Sequence, residues 1–254
     1  MGINEFSGHV AIVTGAGQGI GFEIARQLCL KGASVLINDI HEPLVNEAVA
    51  KISMHGHCIG LAGDAADAAF IQSMVDEAVN KFGKLTIAVA NAGITLFGDF
   101  FEYKLQSLQA VMNLNIGGSF LLAQAAAKQM KQQNSGGSIL LMSSVTGHQA
   151  HKNLAAYGIT KAALEMLAKT LVVELSPYNI SINAIAPGAT VTERTGEDRD
   201  YITTWSRITP MGKPATVEDI ANAALFMVSP ASRHVTGQSL VIDGGWTSVS
   251  PSPY

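Results

Sequence analysis

The sequence predicts an α/β fold: a single doubly wound parallel sheet of about seven strands with helices on both faces. Three observations predict it. Short β-branched runs alternate with longer stretches of helical period along the whole chain. The strand-like runs are nearly continuous in apolar residues instead of alternating, the mark of strands covered on both faces. No composition shift, Pro/Ser-rich linker or internal repeat divides the 254 residues, so one domain over 1–254 is expected. Strand–helix alternation of this kind builds βαβ units, and the right-handed rule for their crossovers leaves few topologies.

The elements follow in order. His9–Thr14 is a β-branched run that breaks at Gly15, and a helix over Gly19–Lys31 follows. Ser34–Asn38 is the second strand and Glu42–His55 the second helix. His57–Leu61 and Leu85–Ala90 are strands, separated by a helix over Ala66–Phe82. A long helical stretch, Tyr103–Met130, leads to the strand Gly137–Met142. Ala155–Leu175 is helical, Ile180–Ile185 a strand, Val217–Val228 the last helix and Ser239–Ile242 the last strand. Only the segment 188–213 breaks the rhythm. It lacks an apolar period and contains TERTGEDRD, the most charged stretch of the chain. It reads as a long loop of the kind that often forms an active-site lid; a surface insertion without that role is the alternative.

With 48% apolar and 14% charged residues, against about 25% charged in an average globular chain, the protein can fill a large core but has little ionic surface. Some apolar surface is therefore expected to be covered by other subunits. A formal net charge of −4 argues against nucleic acid or an anionic membrane as partner. The start, MGINEFSGHV, has neither the basic region nor the apolar core of a signal peptide. No apolar run approaches the roughly 18 residues of a membrane-spanning helix. Cys29 and Cys58 stand alone without CxxC spacing, which reads as two buried thiols. A cytoplasmic protein is expected.

The first strand runs into Thr14-Gly15-Ala16-Gly17-Gln18-Gly19-Ile20-Gly21. Glycines let the backbone turn sharply and approach a ligand, while a helix N-terminus offers free N–H groups and positive potential to a pyrophosphate. At the first βα turn of an alternating chain, this is the context a dinucleotide site requires. Eighteen residues past Gly21, Asp39 can accept hydrogen bonds from the adenosine ribose, which favours NAD. A 2′-phosphate there would add roughly two negative charges beside a carboxylate, and the neighbours Gln18, Asn38, Ile40 and His41 supply no strong cation. The alternative for Asp39 is a plain helix N-cap.

Tyr157-Gly158-Ile159-Thr160-Lys161 places a tyrosine and a lysine four apart, on one helix face. A free phenol holds its proton to about pH 10. A cation about 4 Å away is worth about 4 kcal/mol at an effective dielectric near 20, enough to let a phenol exchange protons near neutrality. Together with Asn91-Ala92-Gly93, Asn115, Ser143-Ser144 and Pro187-Gly188, these motifs make the chain, from about His9 to Gly245, resemble the short-chain dehydrogenase/reductase family, in order and with matching separations.

The resemblance implies a Rossmann-type fold, an oxidoreductase acting on CH–OH groups with NAD, and a set of site residues. Ser144, thirteen residues before Tyr157, would hydrogen-bond the substrate oxygen, and Tyr157 would be the acid/base. Lys161 would hold the nicotinamide ribose and ease proton loss from the tyrosine. Asn115 would position a water linking Lys161 to solvent. Gly15, Gln18, Gly19, Ile20 and Gly21 match the diphosphate turn, Asp64 and Ala65 the adenine pocket, and Asn91, Ala92 and Gly93 the end of the fourth strand. Pro187, Gly188, Thr190 and Thr192 match the stretch that binds the nicotinamide carboxamide. Ala90 stands where the family more often has a second asparagine, a departure at a supporting position. As alternatives, Asn115 interrupts a helix and Ser144 caps one.

The loop after Ser144 is polar. Its His148, His151 and Asn153 could hydrogen-bond sugar or polyol hydroxyls, with a solvated loop as the alternative; no carboxylate or thiol beside the histidines points to a metal. Trp205 and Met211, in or beside the lid, could cover an apolar substrate face. Asp243-Gly244-Gly245-Trp246-Thr247 resembles sugar and polyol dehydrogenases of the family. Three readings compete. One is an NAD-dependent dehydrogenase of a sugar, polyol or sugar acid, converting alcohol to ketone or hemiacetal to lactone. Another is a 3-oxoacyl-(acyl-carrier-protein)-type ketoreductase. The third is a non-catalytic nucleotide-sensing module, which the intact Ser144, Tyr157 and Lys161 disfavour. Relatives in the family pair the helices carrying Asn115 and Tyr157, so the resemblance, with Leu121, Leu122, Leu164, Leu167 and Leu171 spread around those helices, implies a homotetramer.

Overall fold

The computed structural model describes residues 4–249. Its strands are β1 (Val10–Val13), β2 (Ser34–Asp39), β3 (Cys58–Ala62), β4 (Ile87–Ala90), β5 (Gly137–Met142), β6 (Ile180–Pro187) and β7 (Ser239–Ile242). They form one sheet in the order β3-β2-β1-β4-β5-β6-β7, parallel throughout. The order reverses between β1 and β4, and in doubly wound sheets a ligand crevice opens at that point, outside the C-terminal strand ends. Strands β1, β4, β5 and β6 are buried along their full length, which is why they read as unbroken apolar runs.

Two cores flank the sheet. On one face lie α1 (Gly19–Leu30), α2 (Glu42–Ile52) and α8 (Val217–Val228); on the other lie α3 (Ala68–Phe82), α5 (Ser119–Gln132) and α6 (Ala155–Leu175). Alternation along a strand feeds both cores: Ala11 and Val13 enter the first, Val10 and Ile12 the second. Cys29 and Cys58 are free thiols in the first core. Burial pushes both up, Cys58 to about 12.

Two segments depart from the sequence reading. The first is a continuous helical run, Leu105–Gln132, of 28 residues with a stretch of mean hydropathy 1.2. By length and composition alone it is long and apolar enough to cross a membrane, but Gln106, Gln109, Asn113, Asn115 and Gln124 interrupt it, so it holds no unbroken apolar run of that size. Its inner face, with Leu122, Ala123, Ala126 and Met130, is buried in the second core. Nor is the run a uniform α-helix: α4 (Leu105–Val111) passes through a π-helical segment, Met112–Gly118, into α5. The wide turns sit where the Asn115 side chain leaves the helix to clamp Ile94. Its Oδ1 accepts from the Ile94 N–H at 2.9 Å and its Nδ2 donates to the Ile94 carbonyl at 3.0 Å. At the end of the π segment, a side chain on Gly118 would run into the Ala65 carbonyl.

The second departure is the segment 188–213. It was expected to be a loop, yet it holds a helix, α7 (Tyr201–Ile208), after a short 3-10 turn at Thr195–Glu197. Tyr201 and Trp205 are half-buried one turn apart while the residues between them are exposed; the charged flanks hide so short a period.

Because the carbonyl that Gly118 faces is backbone and cannot swing aside, Gly118→Ala should destabilise the protein by about 1–3 kcal/mol, the usual cost of overpacking. A shift of the denaturant midpoint measures it, and an unchanged midpoint would show that the π segment does not depend on this contact.

Candidate active site

Between β1 and α1 the chain turns through Thr14–Gln18. Gly15 and Gly19 take φ of 60° and 64°, left-handed conformations that glycine adopts without strain. A Cβ on Gly17 would lie 2.8 Å from Asp39 Oδ2, and the Gly17 N–H donates to that oxygen at 3.2 Å. Asp39 Oδ1 accepts from the His41 N–H at 3.2 Å, but the N-cap of α2 is His41. Asp39 is therefore a carboxylate at the mouth of the glycine turn and does not cap α2. Helix α1 has no acid in its first turn, and its cap Gln18 makes no side-chain hydrogen bond to it. Its positive end faces the cleft, as diphosphate binding requires.

Asn91 supports this turn from behind. Its Nδ2 donates to the Thr14 carbonyl at 2.9 Å and the Gly15 carbonyl at 2.8 Å. Thr14 Oγ1 in return accepts from the N–H groups of Asn91 and Ala92, each at 3.2 Å. The Asn91 side chain, expected to touch the cofactor, is thus spent on holding β1 to β4. Asp64, matched to an adenine pocket, is exposed and accepts from the Ala66 N–H at 2.8 Å, while Ala65 beside it is buried.

A cavity of about 300 Å³ runs along the C-terminal strand ends. Gly15, Gln18, Gly19, Ile20 and Gly21 line one end; Asn91, Gly93, Ser144, Tyr157 and Lys161 the middle; Pro187, Gly188, Thr190 and Thr192 the side toward the lid. Asp39, Asp64, Ala65 and Ala92 lie outside its lining, the first three at the ends of β2 and β3. Glu193, Arg194, Thr195 and Tyr201 also line it, and the sequence reading assigned none of them.

Lys161 is 3% exposed. Its Nζ donates to the Met142 carbonyl at 2.7 Å and lies 5.3 Å from the centre of the Tyr157 ring. That bond uses one of the ammonium's three donors, which leaves capacity for a ribose diol. Asn115, fully buried, stands behind Gly93: a Cβ on Gly93 would fall 3.2 Å from Asn115 Oδ1 and 3.5 Å from Lys161 Nζ. A glycine cradle that side chains would fill, a helix with no acid in its own first turn and a buried ammonium together fit a dinucleotide, with the Glu193 carboxylate 3.7 Å from where a Cβ on Gly19 would lie. Ser144 caps a 3-10 turn, Val145–Gly147, its Oγ accepting from the Thr146 N–H at 3.3 Å, and still lines the cavity.

Four aromatic residues make one chain that meets the cavity lining only at Tyr201. His151 stacks on Trp246 at 5.1 Å, Trp246 meets Trp205 edge-on at 5.6 Å, and Trp205 lies 6.1 Å from Tyr201. The Tyr201 hydroxyl accepts from the Thr190 N–H at 3.0 Å and donates to the Thr190 carbonyl at 3.3 Å, fastening α7 over the cleft. His148 does something other than the sequence reading expected: its Nε2 lies 2.8 Å from Glu165 Oε1. Asn153, at a φ of 66°, accepts from the Gly98 N–H through its carbonyl at 3.0 Å. Met211 stays 72% exposed.

Residues 15–247 match the family model described as enoyl-(acyl carrier protein) reductase. The chain is 34% identical to tropinone reductase-like 3 of Erythroxylum coca over 96% of this chain and 95% of that protein. It is 34% identical to an L-rhamnose 1-dehydrogenase (NAD(P)(+)) of Sphingomonas, over 94% of this chain and 96% of that one. Its structure superposes with a TM-score of 0.90 on a gluconate 5-dehydrogenase of Burkholderia cenocepacia in complex with NADP and tartrate. That likeness carries 32% identity over 98% of this chain and 99% of the other.

Burial holds the His151 imidazole below its ordinary value, so the stacked ring is neutral at pH 7. A base whose folded value is lowered contributes stability above its ordinary value, and that contribution is lost as pH falls through the lowered one. Acidification from about pH 7 to about pH 5, across the histidine range, should therefore loosen the contact with Trp246 and change the emission of the two tryptophans. His151→Phe keeps the stack without the titration and should abolish that change; an identical acid response in the variant would refute the assignment.

Proposed function

The chain belongs to the short-chain dehydrogenase/reductase family, and from that premise we propose that it interconverts a secondary alcohol and a ketone on a sugar, polyol or sugar acid, using NAD. That it is an oxidoreductase acting on CH–OH groups follows from the family. The observation that carries the mechanism is the meeting of Ser144, Tyr157 and the buried Lys161 in one cavity with the glycine turn.

The nicotinamide, when bound, supplies the hydride acceptor or donor. The chain manages the proton. Ser144 Oγ donates to the substrate oxygen, and Tyr157 Oη takes the hydroxyl proton in oxidation and returns it in reduction. The Lys161 ammonium stabilises the phenolate form, and its remaining donors hold the ribose. Asn115 fixes the Ile94 backbone, and the space that Gly93 keeps open beside Lys161 is where a solvent link for the proton would run.

Asp39 supports NAD, because its neighbours Asn38, Ile40 and His41 bring no lysine or arginine to a 2′-phosphate. The rhamnose and gluconate relatives support a carbohydrate substrate. A second reading, a ketone with apolar bulk such as an acyl-carrier-type substrate, is favoured by Phe97, Phe100 and Phe101. They are 72%, 75% and 92% exposed on the loop that Gly98 ties to Asn153. Two free buried cysteines support a cytoplasmic setting.

A homotetramer is proposed as well. Leu122 and Leu164 are buried in the core, but Phe120, Met166 and Val173 on α5 and α6 are 42%, 61% and 79% exposed beside a groove between those helices. Sedimentation at micromolar concentration should give the mass of four chains, and a monomer would remove this proposal.

Turnover of a panel of aldoses, polyols, hydroxy acids and bulky alcohols, each with NAD and NADP, tests the substrate and cofactor readings. Tyr157→Phe should bind NADH as the wild type does and lose at least about 10²-fold in kcat, the usual share of acid–base catalysis. Near-normal turnover in that variant would sink the mechanism.

A further inference from the structure

Beneath the catalytic serine lies a polar cluster that the proton transfer does not use. Ser143 is buried at 2% exposure, and its Oγ–H is shared between Glu165 Oε1 at 2.7 Å and the Lys161 carbonyl at 2.9 Å. The same Glu165 oxygen lies 2.8 Å from His148 Nε2. Glu165 sits one helical turn beyond Lys161 on α6, and its side chain is only 13% exposed. One carboxylate oxygen therefore accepts a hydrogen bond from Ser143, where β5 ends, and stands 2.8 Å from the His148 imidazole, just past the 3-10 turn.

The backbone shows why such a staple has leverage. The 3-10 turn lies directly on α6: a Cβ on Gly147 would come within 2.9 Å of the Ala162 nitrogen, and one on Gly158 within 3.0 Å of the Thr146 carbonyl. At Gly147 and Gly158 the turn that carries Ser144 and the helix that carries Tyr157 and Lys161 meet backbone against backbone. Hydrogen bonds that span this contact fix the distance and rotation between them, and small misplacements of reacting groups cost large factors in rate.

We propose that Glu165 is a positioning residue for the reaction, acting through Ser143 and His148 to hold Ser144 in register with Tyr157 and Lys161. The assignment rests on the reading of Ser144 as the group that binds the substrate oxygen. The Ser143 hydroxyl donates to a carboxylate, a charge-assisted bond roughly twice as strong as a neutral one, and the same oxygen faces the His148 imidazole at 2.8 Å. Glu165 is not among the residues that line the cavity, so its loss should move the chemical step and leave nucleotide binding alone.

Two readouts test it. In Glu165→Ala, kcat should fall between about tenfold and a hundredfold, the range expected for losing hydrogen bonds to a charged group. The KM for the nucleotide and the Kd for NADH should stay within about twofold. Glu165→Gln keeps an acceptor oxygen for Ser143 and a polar group facing His148, and should recover most of the lost kcat. Hydrogen exchange read by mass spectrometry, with no ligand present, should show faster exchange over residues 143–150 in Glu165→Ala and near-wild-type exchange in Glu165→Gln. If Glu165→Ala does not fold, His148→Ala carries the test, with a smaller fall in kcat and the same local loosening. Unchanged kcat and exchange in these variants would overturn the proposal, and so would a fall in kcat matched by an equal loss of NADH affinity. Should the wild type oxidise none of the alcohols tried, the proposed function fails, while the exchange comparison still decides whether Glu165 holds the turn.

Discussion

A side chain at Gly147 or Gly158 would push the turn after β5 away from helix α6, and the chemistry of this protein depends on that turn lying flat against the helix. Glycine inside a helix costs about 1 kcal/mol relative to alanine, and Gly158 sits between Tyr157 and Lys161, where helix propensity alone would not place it. The return is the close approach. Ser144 reaches the cavity shared with Tyr157, and the Lys161 stem lies buried with its ammonium on the Met142 carbonyl. Helix and strand end are thereby joined at the site itself, by hydrogen bonds that cross from one to the other.

Features coded by neighbouring residues were legible without a structure. The glycine turn, the Tyr157–Lys161 pair and the bounds of Gly137–Met142, Ala155–Leu175, Val217–Val228 and Ser239–Ile242 all follow from local pattern and agree with the structure. Strand ends elsewhere differ by a residue or two, as hydrogen-bonded bounds do from compositional ones. The features that escaped were coded by contacts between distant segments. The π-helical turns coincide with a bond between Asn115 and Ile94, and the Asn91 side chain supports Thr14 and Gly15 across the sheet. Nothing near Glu165 in the sequence marks it as the partner of Ser143 and His148. The helix at Tyr201–Ile208 was masked by the charged residues before it.

The cleft and the segments beside it differ in character. Where Ser144, Tyr157 and Lys161 meet, it is polar and built to manage a proton. Beside it, His151, Trp246 and Trp205 extend from Tyr201, which alone of the four lines the cavity, in an aromatic chain that joins three separate segments. Indole faces pack well against the C–H face of a sugar ring and against a purely apolar skeleton alike. Discrimination between the two therefore falls to the polar groups around the reacting carbon. Of the two histidines in the loop after Ser144, His148 is committed to Glu165, which narrows the hydroxyl-binding capacity of that loop.

The π-helical segment sets which faces the two helices around it present. One extra residue in a helix offsets the part before it by roughly 100° relative to the part after it, so α4 presents a different face from the one a uniform helix would carry on from α5. The face that α5 buries in the core is thus set independently of the face α4 turns outward, and a substitution that restored a uniform helix would have to swing α4 around its axis to keep both.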